Sequence, residues 1–240
     1  QRGLEVVDFA CGIPHLLKGN HSINVGTNVD SYDIKQPIGL CAGITPFNFP
    51  AMVPMWMFPI SIACGNAFML KPSEKVPQCS LKLGELLNEA GLPENVLTIV
   101  NGDKSVVDKI LQSPDISSVS FVGSTPVAKY IYTECAKYNK RVQALGGAKN
   151  HMLIMEDANL EDAVNGLMGA AYGSAGERCM ATSVALPIGK IQKPFMELLK
   201  EKASQIKVGE SLDPHSEMGP LITKEHKEKV LSYIEKGISE

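Results

Sequence analysis

The feature that most limits how this chain can fold is the regular exchange of short β-rich runs for helical patterns. Gly39–Ile44, Ala67–Leu70, Val96–Val100 and Ser118–Val122 are compact apolar segments, and amphipathic stretches at Gln78–Ala90 and Lys104–Gln112 stand between them. Strands joined through whole helices cannot pair as tight hairpins; they pair in parallel, with the helices as crossovers covering the sheet. The punctuation agrees, because Gly91-Leu92-Pro93 follows the Leu81–Ala90 pattern as a glycine stop with a proline just beyond. The fold class is therefore α/β, with a first domain over 1–143 and a second over 144–240. In the second, Met152–Met155 reads as a strand, and Leu160–Ala171 and Phe195–Ile206 read as helices.

Composition narrows the functional classes. The chain has 240 residues, 44% hydrophobic and 20% charged, with a formal net charge of -3. That charge supplies no basic footprint for nucleic acid or an anionic membrane surface, so a small-molecule partner is the expectation. The most apolar stretch, Phe47–Ile62, is broken by Asn48, Pro50, Pro54 and Pro59, whereas a bilayer span needs roughly 18 uninterrupted apolar residues. Cys11, Cys41, Cys64, Cys79, Cys135 and Cys179 are scattered without a CxxC pair, which argues for reduced thiols and against a zinc site or a disulfide framework. No metal site is expected. Cys41 and Cys64 read as core thiols, the methionines and Trp56 after Pro54 as helix packing, and none of the five histidines as a base.

Four segments carry possible chemistry. In Gly173-Ser-Ala-Gly-Glu-Arg-Cys-Met180 a cysteine follows small residues and sits beside a cation, and Arg178 can favour the nucleophilic thiolate; a packed thiol is the plainer reading. In Ile44-Thr-Pro-Phe-Asn-Phe-Pro50 an amide follows a strand, where open α/β sheets build their sites, and an amide there can donate to an oxyanion; a rigid turn is the alternative. Met69-Leu-Lys-Pro-Ser-Glu74 places a Lys and a Glu after another strand, suited either to ribose hydroxyls or to solvent. In Phe121-Val-Gly-Ser-Thr-Pro126, Gly123 permits close backbone approach and Ser124 opens a helix whose N-terminus can face phosphate or simply be capped.

Taken together and in order, ITPFNFP, LKPSE, FVGST and GERC resemble the aldehyde dehydrogenase superfamily along the whole chain. The resemblance implies an incomplete Rossmann-type NAD-binding domain and the first part of a catalytic domain. It implies Cys179 as the nucleophile that forms a thiohemiacetal and then a thioester, with Asn48 and the Cys179 N–H holding the oxyanion. Lys71 and Glu74 would contact the adenosine ribose, Gly123 and Ser124 would lie near the pyrophosphate, and Thr45 and Phe47 would line the cofactor site. Glu74 would disfavour a 2′-phosphate, which points to NAD over NADP.

One departure is informative. Hydrolytic members carry a Glu-Leu-Gly-Gly segment whose Glu activates the deacylating water, and here Gln143-Ala-Leu-Gly-Gly-Ala-Lys-Asn150 has Ala144 in its place, with no carboxylate between Lys140 and Met155. Loss of a general base slows water attack by ~100 to 10,000-fold, so a thiol can compete. PFNFP, GAKNH, GSAGERCMA and MGPLIT resemble the CoA-acylating methylmalonate-semialdehyde dehydrogenases, in which decarboxylation accompanies formation of the CoA thioester. Arg178 and Arg2 match the arginines expected to hold the substrate carboxylate, a task suited to planar bidentate donors. The resemblance further implies CoA as co-substrate, a homodimer or tetramer, a place in valine or inositol breakdown, and a bacterial cytoplasmic or mitochondrial matrix location. Both ends read as cut edges, so a hydrolytic dehydrogenase and an inactive fragment stand as the alternatives.

Overall fold

The computed structural model describes residues 1–240, which form two compact units, Gln1–Gly147 and Ala148–Glu240. The first opens with helices α1 (Arg2–Cys11) and α2 (Ile13–Leu16) and an exposed antiparallel hairpin of β1 (His21–Gly26) and β2 (Val29–Tyr32). There follow β3 (Leu40–Ile44), the short helices α3 (Met52–Met55) and α4 (Phe58–Ala63), β4 (Ala67–Lys71), α5 (Gln78–Glu89) and β5 (Leu97–Ile99). The unit closes with α6 (Lys104–Gln112), β6 (Ile116–Val122), α7 (Thr125–Lys137) and β7 (Arg141–Leu145).

Strands β3 to β7 make one parallel sheet in the order β5-β4-β3-β6-β7. The chain moves outward from β3 through β4 to β5, then returns to the other side of β3 and moves outward again. Connections on the two sides run in opposite directions, leaving a crevice at the carboxyl ends of β3 and β6 where ligands of such sheets bind. The sheet is buried on both sides. Ala42, Ile44, Val119 and Phe121 pack with Ile110, Leu111, Ile131 and Cys135 of α6 and α7, while Cys41, Phe68 and Leu70 pack with Met55 and Phe58 of α3 and α4. A fully buried Leu70 or Ile131 side chain contributes about 1.5–3 kcal/mol by removal from water.

Local chemistry fixes the joints. Asp103 caps α6 by accepting from the Ser105 N–H at 2.9 Å, satisfying one of the donors that a helix start leaves unpaired. The buried Lys140 ammonium donates to the carbonyls of Ser113 and Ile116, fastening the start of β7 beside the loop that enters β6. Since β7 pairs with β6 along its length, residues 144–147 go with the first unit. The division falls after Gly147, whereas the sequence placed it after residue 143.

The second unit contains β8 (Asn150–Ile154), α8 (Leu160–Tyr172), β9 (Thr182–Pro187), α9 (Gln192–Ser204) and α10 (Lys224–Ser239). Strands β8 and β9 pair in parallel. Their apolar side meets α8 and α9 through Ile154, Val164, Leu167, Ile191 and Phe195. A 3-10 turn over Gly173–Gly176 leads from α8 toward β9. Two packing readings need correction: Cys64 is half-buried, and Trp56 is exposed at the end of α3, with Met55 taking the core position instead.

Candidate active site

In the first unit, Thr45, Phe47 and Asn48 follow β3, Lys71 ends β4 with Glu74 three residues on, and Gly123 and Ser124 follow β6. All seven therefore stand at the carboxyl edge of one parallel sheet, around its topological switch point. The backbone reaches this arrangement under constraint. Thr45 N–H donates to the Lys71 carbonyl at 3.1 Å, tying the loop after β3 to the end of β4. Phe49, next to Asn48, has φ +56°, a conformation that costs a residue with a side chain about 1–2 kcal/mol. Its carbonyl accepts from Val53 N–H at 3.1 Å. Asn48 is half-buried in this held turn.

Lys71 is buried, and its ammonium donates to Glu74 Oε2 at 3.0 Å. Burial works to raise the Glu74 pKa. The Glu74 backbone N–H, the Lys71 hydrogen bond and the charges of Lys71 and Lys75 outweigh it, so the carboxyl lies below its ordinary value. Lys75 Nζ stands 5.7 Å from the centre of the Phe47 ring, so the two loops meet at this edge.

The residues present fit a dinucleotide. The N-terminus of the 13-residue α7 begins at Ser124, whose side chain makes no capping bond, leaving the positive end of the helix available to phosphate. The Thr45 hydroxyl is buried without a hydrogen-bond partner, a polar atom whose burial a bound group could offset. The space a Cβ on Gly123 would take is filled by the Phe121 ring, 2.4 Å away, so the residue there has to be glycine.

In the second unit Cys179 is exposed, in a turn closed by the Ala181 N–H donating to the Arg178 carbonyl at 3.2 Å. The preceding residues are strained: Ser174 and Ala175 both have φ +53° and Gly176 has φ +74°. Such backbone persists only where surrounding contacts hold it, commonly at functional sites. Arg178 reaches back to the Gly169 carbonyl at 3.2 Å, near the end of α8, where a cation also meets the negative end of the helix. Its guanidinium occupies the space a Cβ on Gly173 would need.

Arg2 opens α1, 80% exposed at its side chain and paired with Glu5 Oε2 at 3.2 Å. Its neighbour Gly3 packs on Met55 of α3, which places Arg2 beside the segment that follows Asn48. Ala144 is half-buried in β7, opposite Phe121. One participant went unseen in the sequence. The Asn150 side-chain NH2 donates to the carbonyls of Cys179 at 3.1 Å and Ala181 at 2.9 Å. Its position in GAKNH was visible, but the contact spans about thirty residues and leaves no local signal.

The Aldehyde dehydrogenase family profile matches residues 1–240. The chain is 54% identical over 241 residues to the malonate-semialdehyde dehydrogenase of Pseudomonas aeruginosa, covering 100% of this chain and 48% of that protein. It is 52% identical over 240 residues to that of Halalkalibacterium halodurans, covering 100% and 50%. Among solved structures, methylmalonate-semialdehyde dehydrogenase from Oceanimonas doudoroffii superposes with a TM-score of 0.95 at 54% identity, over 98% of this chain and 48% of that one. The NAD+ complex of an aldehyde dehydrogenase from Bacillus cereus gives 0.94 at 32% identity, over 99% and 48%. The chain thus spans about half the length of the relatives it matches. With a profile match from end to end and this agreement in fold, the chain belongs to the aldehyde dehydrogenase family.

Proposed function

We propose that the protein carrying this chain oxidises malonate or methylmalonate semialdehyde with NAD and passes the acyl group to CoA, releasing CO2 and giving acetyl-CoA or propionyl-CoA. The observation that carries the proposal is the gathering of Thr45, Phe47, Asn48, Lys71, Glu74, Gly123 and Ser124 at one sheet edge, in a chain whose Cys179 stands exposed on a strained turn. The names of the relatives point to the substrate class.

Lys71 and Glu74 would hold the adenosine ribose, the start of α7 at Ser124 and the glycine at 123 the pyrophosphate, and Thr45 and Phe47 the rest of the cofactor. Bound NAD supplies a hydride acceptor. On this reading the Cys179 thiolate attacks the aldehyde carbon. The backbone N–H of Cys179, which donates to no other group in its unit, and the Asn48 amide stabilise the oxyanion. The resulting thioester on Cys179 persists because position 144 offers no carboxylate to activate water. Arg178 and Arg2 would hold the substrate carboxylate until it leaves as CO2, the electron pair of the broken C–C bond passing into the thioester as its enolate, which takes a proton from solvent. The thiol of CoA then displaces the acyl group, its proton passing to solvent, and Cys179 leaves as the thiolate.

The test is NADH formation from methylmalonate semialdehyde by the full-length protein, with and without CoA, for wild type and Cys179→Ala. CoA-dependent turnover that disappears in Cys179→Ala is the expected result. CoA-independent turnover moves the protein to the hydrolytic class, and no turnover in any condition overturns the enzymatic reading.

A further inference from the structure

We propose that Asn150 is the positioning residue of the nucleophile turn, holding the Cys179–Met180 peptide in the orientation from which the sulfur attacks. The inference rests on the assignment of Cys179 as the nucleophile. Residues 174–176 take three successive left-handed conformations, each costing a residue with a side chain about 1–2 kcal/mol, so the turn that follows needs restraint. On the near side, Glu177 Oε1 accepts from the Ile222 N–H at 3.3 Å and lies 3.5 Å from His226 Nε2. On the far side the restraint is Asn150, whose amide nitrogen spends its two hydrogens on the Cys179 and Ala181 carbonyls.

The base of the clamp is firm. Asn150 is the first residue of β8, paired with Thr182 of β9, and the strand runs on into the buried Ile154. A trans peptide is planar, with its C=O and N–H on opposite sides. Drawing the Cys179 carbonyl toward Asn150 therefore turns the Met180 N–H away from it, and the hydrogen bond polarises that peptide into a better donor. Neither the Cys179 nor the Met180 N–H is consumed by a backbone or side-chain acceptor in the unit. Two unspent N–H donors thus stand in the Cys179–Met180 turn, free to meet negative charge that develops on a substrate oxygen. Asn150 does this without touching the substrate or the sulfur, through an amide that is neutral at every pH.

An aspartate here would place a carboxylate against two carbonyl oxygens and could donate to neither; an alanine would leave the turn unheld. Both substitutions should slow the reaction of Cys179 with an electrophile. The experiment is iodoacetamide alkylation of the full-length protein at neutral pH, with modification at Cys179 followed by peptide mass mapping so that the exposed Cys11 does not interfere. Wild type, Asn150→Asp, Asn150→Ala and Met152→Ala are compared, the last loosening the packing of β8 without removing either hydrogen bond. The expected result is an alkylation rate at neutral pH about tenfold lower in both Asn150 variants. Met152→Ala should keep the wild-type rate at a lower Tm. In turnover, kcat should fall with the KM for NAD unchanged.

A wild-type rate in the Asn150 variants overturns the proposal, and so does an equal slowing in Met152→Ala, which would mark the effect as general loosening. If wild-type Cys179 reacts no faster than a free thiol and Cys179→Ala retains turnover, the fault lies instead with the assignment of the nucleophile.

Discussion

Glu74 stands half exposed, and its pair with the buried Lys71 contributes at most about 1 kcal/mol to stability once solvent screening is allowed for. The pKa is lowered on folding, so this contribution is complete above the unfolded carboxylate value of ~4.3 and is lost as pH falls through the lower folded value. The carboxylate is therefore charged through the neutral range, which on the proposed reading suits it to accept from ribose hydroxyls and sets it against a 2′-phosphate. Glu74→Gln should raise the KM for NAD about 10- to 100-fold, the worth of one hydrogen bond to a charged group. It should also narrow the preference for NAD over NADP, with kcat at saturating cofactor kept. Steady-state kinetics with both cofactors check this, and an equal loss for both would remove Glu74 from the ribose.

At the scale of elements, two glycines separate crowding from backbone strain. A Cβ on Gly43 of β3 would lie 2.7 Å from the Phe68 ring and 3.0 Å from Met57 Sδ, whereas one on Gly91, at φ +92°, meets nothing within 4 Å. Gly43→Ala should cost about 1–3 kcal/mol by overpacking, and Gly91→Ala about 1 kcal/mol through its left-handed backbone alone. In a Phe68→Leu background the first cost should shrink and the second stay unchanged, a coupling of about 0.5–3 kcal/mol measurable by urea denaturation. Apolar runs such as the one ending at Ile44 made the central strands legible, because strands covered on both faces need unbroken hydrophobic sequence. β7 was not, since Arg141 and Gln143 alternate with Val142 and Ala144 on an edge strand. Nor was the hairpin, all of whose residues are exposed, although Ile23 and Val25 alternate with polar residues before the Gly26-Thr27-Asn28 turn. The loops bearing Asn48, Lys71, Ser124 and Cys179 were readable because each is a contiguous motif. Asn150 acts on carbonyls far along the chain and was not.

For the whole molecule, the proposed chemistry turns on a carboxylate that the sequence lacks at position 144. The first unit carries the residues proposed to hold the cofactor and ends with β7, while the second carries Cys179. On the proposed reading, the residue at position 144 in β7 decides whether water or CoA resolves the thioester. Ala144 is half-buried and packs against the core around Phe121 and Val119. A glutamate placed there would lose solvation, which raises a carboxyl pKa toward the neutral range where a general base works best. Ala144→Glu should therefore introduce CoA-independent NADH formation in the full-length protein, at a rate up to about 100-fold above the wild-type background. Ala144→Gln, matched in size but without a base, should not. If both variants retain a wild-type Tm and Ala144→Glu shows no CoA-independent turnover, the missing carboxylate is not what protects the thioester, and the preference for CoA must arise from exclusion of water instead.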